Sequence, residues 1–136
     1  MEVTFLQVAD YANTTKDEKL NVMGLFSNIS VTAFPSVHPE MYLVAQLRAT
    51  AAEYGRQVQL GVKLLNEDAT EQLIGFEAPM IVPIGQKGLP VTMNITLRLV
   101  NTQFKSPGTY EFSVLVDNDV KATVALDVNL IPQTSS

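Results

Sequence analysis

"VTMNITLRLV", residues 91–100, decides the class of this chain. Val91, Met93, Ile95, Leu97 and Leu99 share one parity, and Thr92, Asn94, Thr96 and Arg98 share the other. Side chains of a strand point alternately to its two faces, so the pattern describes a strand with one face on a core and one in water. The same alternation runs through Val58, Leu60, Val62 and Leu64 in "RQVQLGVKLL" (56–65), and through Ala122, Val124, Leu126, Val128 and Leu130 in "KATVALDVNL" (121–130).

Turn-rich clusters separate such runs: "TTKDEK", "AFPSVHP", "AEYG", "NEDATEQ", "PIGQKGLP", "SPG" and "DND". They predict strands near 3–12, 20–32, 41–50, 57–65, 72–82, 91–101, 109–117 and 120–131. Only "RATAAEYG" suggests a turn of helix. About eight amphipathic strands must each bury a face, and two stacked sheets do this at such a length. The expected fold is all-β, a two-layer antiparallel β-sandwich of immunoglobulin-like or jelly-roll type; a closed barrel is the alternative. Residues 1–136 are expected to form a single domain, since no linker or repeat divides them.

Register sharpens the C-terminal hairpin. A two-residue loop at Asn118 and Asp119 would set Val116 against Lys121 and Val114 against Thr123. A three-residue loop, Asp117 to Asp119, pairs Val116 with Val120, Val114 with Ala122, Phe112 with Val124 and Tyr110 with Leu126. Every inward pair is then apolar, so the three-residue loop is expected.

Hydrophobic residues make up 46% and charged residues 17%, which suits a compact globular protein. Fourteen acids against nine bases give a formal charge of −5, with no basic cluster, so nucleic acid is not an expected partner. Zero cysteines fit a reducing compartment, and the cytoplasm is the expected location. The opening "MEVTFLQVADYANTT" carries Glu2 where a secretion signal would be basic, and no run is long enough for a membrane helix. Asn13, Asn28 and Asn94 begin N-x-S/T triplets, read here as chance matches.

Chemistry is sparse. His38, the only histidine, lies between Pro35 and Pro39, which predicts a rigid bend. One histidine without cysteine does not make a zinc site, and no serine stands in a nucleophile elbow for His38 to serve as base. Asp17 with Glu18, Glu67 with Asp68, and Asp117 with Asp119 could offer oxygen ligands to calcium, but carboxylates also favour turns by bonding the local backbone. "PIGQKGLP" lacks the spacing of a phosphate-binding loop. Neither a metal nor a cofactor is expected, and the chain is expected not to be an enzyme.

"ADYANTTKDEKLNVMGLFSNI" followed by "FPSVHPEMYLV" resembles a family of short bacterial proteins classed as a domain of unknown function. The resemblance rests on Asp10, Tyr11, Asn13, Lys19, Leu20, Asn21, Gly24, Phe26, Phe34, Pro35, His38 and Pro39, and continues through "GRQVQLGVKLLNED" and "PGTYEFSVLVDNDVKA". It implies bacterial origin and a compact β-sandwich, without an activity to carry over.

The expected function is a protein-interaction or assembly module. Its alternative is a small-ligand or carbohydrate-binding protein using loops at one end, with Tyr11, Tyr54, Phe34 or Tyr42 as a platform. The N-terminal hairpin carries apolar residues on both faces: Leu6 and Val8 oppose the parity of Val3, Phe5, Ala9 and Tyr11, and Met23 and Leu25 oppose Val22 and Phe26. The second face must meet another segment or another subunit, so Leu6, Val8, Met23 and Leu25 form a possible interface, with a homodimer or an unknown protein as partner.

Overall fold

The computed structural model describes residues 1–131 of the chain. Nine strands carry the fold among them: β1 (Glu2–Thr14), β2 (Leu20–Phe26), β3 (Asn28–Val31), β4 (Ser36–Ala49), β5 (Gln57–Leu65), β6 (Gln72–Ile81), β7 (Val91–Phe104), β8 (Gly108–Val116) and β9 (Asp119–Leu130). A short 3-10 turn, Ala51–Glu53, falls inside "RATAAEYG". One sheet has the order β2-β1-β4-β7 and the other β3-β9-β8-β5-β6. We name them sheet A and sheet B.

Alternation places the core. Leu6 and Val8 of β1 pair with Ala45 and Leu43 of β4, and these join Leu60, Val62 and Leu64 of β5 with Phe112, Val114, Leu126 and Val128 in one buried cluster. Both sheets supply it. Phe104 and Tyr110 meet edge to face within it, their ring centroids 4.9 Å apart.

The expected strand 20–32 is two strands in different sheets. β2 ends at Phe26, and after Ser27 the chain enters sheet B, where β3 runs parallel to β9. This parallel pair departs from the all-antiparallel expectation. The C-terminal hairpin keeps the apolar pairs Val114–Ala122, Phe112–Val124 and Tyr110–Leu126, yet its loop is not Asp117 to Asp119. Asp117 and Asn118, both at positive φ (51° and 66°), make the turn, so Val116 pairs with Asp119 and Leu115 with Val120. A bulge next to Val114 restores the apolar register.

β1 pairs with β4 only from Glu2 to Ala9. Beyond Ala9 the β1–β2 hairpin continues by itself, with Gly24 at φ 71° opposite Asp10. Its far half lies across the face of sheet A turned away from the main core. Ala12, Leu20 and Val22 pack there with Ala9, Val44, Phe5 and Tyr42, while Asn94 Nδ2 of β7 donates to the Glu18 carbonyl at 2.8 Å. Two-stranded ribbons twist strongly, which lets the hairpin leave the sheet plane. The apolar second face is thus covered by the chain's own hairpin.

Candidate functional site

Where β2 hands over to β3, a groove of about 400 Å³ opens between the sheets. Leu25, Phe26, Ile29, Val31 and Val37 give its apolar lining; Asp10, Asn28, Ser30, Ser36 and His38 give its polar one. The local sequence explains the opening. Gly24 at positive φ bends the hairpin, and a side chain there would start 2.5 Å from the Asp10 carboxylate.

His38 does not sit in a bend. It belongs to β4, pairs with Thr102 of β7, and its half-buried ring lies 5.7 Å from that of Phe26 at a tilt of 47°. The bend lies earlier, with Phe34–Pro35 as a cis peptide. Pro39 is tolerated within β4 because β1 has already left that strand's other edge. Opposite it, Asn101 at φ 53° lets β7 switch faces, so Leu99 on one side and Thr102 and Phe104 on the other are all buried.

Among the described residues, the side chains of Asp10, Ser30, Ser36 and His38 make no hydrogen bond or ion pair within the chain. A carboxylate, an imidazole and two hydroxyls therefore belong to residues that line the groove and are bonded to no other group of the chain among the described residues. Apolar lining with a few free polar groups suits a polypeptide segment or a small polar molecule.

The expected interface residues divide. Leu6 and Val8 lie in the main core, because their parity sets them against Ala45 and Leu43, and they are corrected from surface to core. Met23 and Leu25 are 66% and 56% exposed. Leu25 lines the groove beside Val37, itself 53% exposed. Of the expected aromatic platform, Tyr11 and Tyr42 meet edge to face at 5.3 Å. Tyr54 instead donates to the Leu89 carbonyl, far along the chain, and Phe34 packs against the main core.

The acidic turns bond to other groups of the chain, two of them locally. Asp17 accepts from Thr15 Oγ1 at 2.5 Å and pairs with Lys19, and these two contacts hold its carboxyl below the usual range. Asp68 accepts from Thr70, which lowers its carboxyl likewise. Asp117 accepts from the Gln59 amide, and Asp119 pairs with Lys121. The three pairs stand at separate turns, and no group of three or more candidate ligands could hold a metal ion among the described residues.

A family model matches residues 4–129. The chain belongs to DUF6941, a family of unknown function. No curated protein matches it. Among solved structures it is similar to Pseudomonas fluorescens alkylpurine DNA glycosylase AlkC bound to DNA containing an abasic site analog, at 12% identity and a TM-score of 0.59. The match covers 94% of this chain and 30% of that one, and at this identity the likeness concerns the fold.

Two expectations are corrected by that match. The chain was expected not to be an enzyme and to have no nucleic-acid partner, yet its fold recurs within a DNA-bound glycosylase. The formal charge averages over a surface whose local field decides binding, and a fold hosts many chemistries, so neither argument excludes these classes. Among the described residues, no helix is long and apolar enough to cross a membrane, which says nothing of strands.

Proposed function

We propose that this DUF6941 chain is a protein-interaction module that receives another polypeptide at the groove and the adjoining outer side of the β1–β2 hairpin. One observation carries the reading. Exposed Met23, Leu25 and Val37 stand beside a groove whose Asp10, Ser30, Ser36 and His38 have no partner within the described residues. Apolar contact area with accessible polar groups at its margin is the composition of a recognition surface.

The proposal includes a two-layer sandwich of immunoglobulin-like or jelly-roll type, supported by the core that both sheets share. It also includes a single unit over 1–136, whose last five residues lie outside the described ones, and a cytoplasmic location.

The test is affinity capture from the source organism with the wild-type chain and with Met23→Lys combined with Leu25→Lys. The expected result is a polypeptide held by the wild type and lost by the double variant, with unchanged circular dichroism. Equal capture by both would overturn the reading. A second reading, a small ligand or carbohydrate in the same groove, is favoured by its volume of about 400 Å³ and its four free polar side chains. A thermal shift with a panel of soluble glycans, abolished by Leu25→Lys, would select it.

A further inference from the structure

Two sheets leave four edge strands, and three of them are blunted. β2 bends at Gly24, β3 has four residues, and β6 contains Pro79, which has no amide to donate. β7 differs. From Val91 to Val100 it has neither proline nor glycine, and its one charge, Arg98, is paired with Glu40 of β4. Among the described residues, no backbone hydrogen bond outside the β4 ladder reaches β7.

Its core-facing row is also incompletely covered. Val91, Met93, Ile95 and Leu97 are half-buried, whereas their partners on β4 (Ala49, Leu47, Ala45 and Leu43) are buried. A further strand beside β7 would cover that row and pair the free backbone groups at once.

We propose that β7 pairs with β7 of a second copy, antiparallel about a two-fold axis at Ile95, to join two copies of sheet A. This is distinct from the groove, and either can fail alone. The sequence supplies the self-complementarity that an isologous contact needs. About Ile95, Met93 meets Leu97 and Val91 meets Leu99 on the core side, while Asn94 meets Thr96 and Thr92 meets Arg98 on the other. Other axes fit less well: centring on Arg98 opposes like charges, and centring on Leu97 sets Met93 against Asn101, where the strand is already irregular.

Thr92 is exposed, so charge can be placed there without entering the core. Light scattering across a concentration series should show a dimer for the wild type. Arg98 pairs with Glu40 of its own chain at 2.9 Å, so the charge variants are made in a Glu40→Gln background. There Thr92→Lys, facing Arg98 of the other copy twice, should weaken the dimer by about fivefold, and Thr92→Glu should strengthen it by a similar factor. Combining Thr92→Lys with Arg98→Glu should restore it. Circular dichroism should be the same for all these proteins. A wild type that stays monomeric at high micromolar concentration would overturn the proposal. So would equal effects of Lys and Glu at Thr92, or a dimer broken by Met23→Lys but not by Thr92→Lys.

Discussion

Gly24 shows how much one backbone angle decides. Its φ of 71° is strained for any residue with a side chain, and the added carbon would meet the Asp10 carboxylate. Gly24→Ala should cost about 1–2 kcal/mol in urea denaturation. An unchanged midpoint would mean that the bend tolerates a side chain. Glu53 acts at the same scale. Its carboxylate accepts from the Thr50 amide at 3.2 Å and pairs with the Met1 amine at 2.9 Å, and the amine chiefly, then the amide, hold its pKa below the usual range. A carboxyl lowered by folding adds stability above its unfolded pKa, about 4.3, and loses it as pH falls through the lower folded value. In a chain beginning at Met1, Glu53→Gln should therefore cost about 0.5–1 kcal/mol at neutral pH, and the deficit should shrink toward acid. Thermal melts from pH 7 to pH 3 would check it; a deficit independent of pH would contradict the charge argument.

At the scale of elements, strand number and faces were largely legible and the changes of sheet were not, though a parity slip marks one of them. Leu20, Val22 and Phe26 are even and Ile29 and Val31 odd, and the slip falls at Ser27, where the chain changes sheets. Within β7, which stays in sheet A throughout, Val91 to Leu99 are odd while Thr102 and Phe104 are even, and that slip marks the irregular backbone at Asn101 and not a change of sheet. The hairpin lying over sheet A left no such mark, because apolar residues on both faces suit a self-packed ribbon and a subunit contact equally. The groove was hidden for the same reason: its residues come from β1 to β4 and gather only when the hairpin bends. Val44 tests the arrangement, being fully buried on the face away from the main core. Val44→Ala should lower stability by about 1–3 kcal/mol. Amide exchange should quicken mainly in residues 12–22, leaving the β8–β9 ladder protected. Uniform loss of protection would show that the hairpin is not a separate layer.

For the whole molecule, the fold narrows where partners can reach. The main core takes Leu6 and Val8, the hairpin covers the part of sheet A's outer face around Val44, and what remains beside the groove is Met23, Leu25 and Val37. Composition could not show this, since a charge of −5 and a 46% hydrophobic content describe surfaces of many shapes. The central claim is that the groove surface contacts another polypeptide. Site-specific photo-crosslinking tests it most directly: a benzophenone side chain at position 25, and at position 63 on sheet B as control, in the source organism. The account predicts a crosslinked polypeptide from position 25 and none from position 63. The uncrosslinked chain alone from position 25, or the same products from both positions, would contradict it.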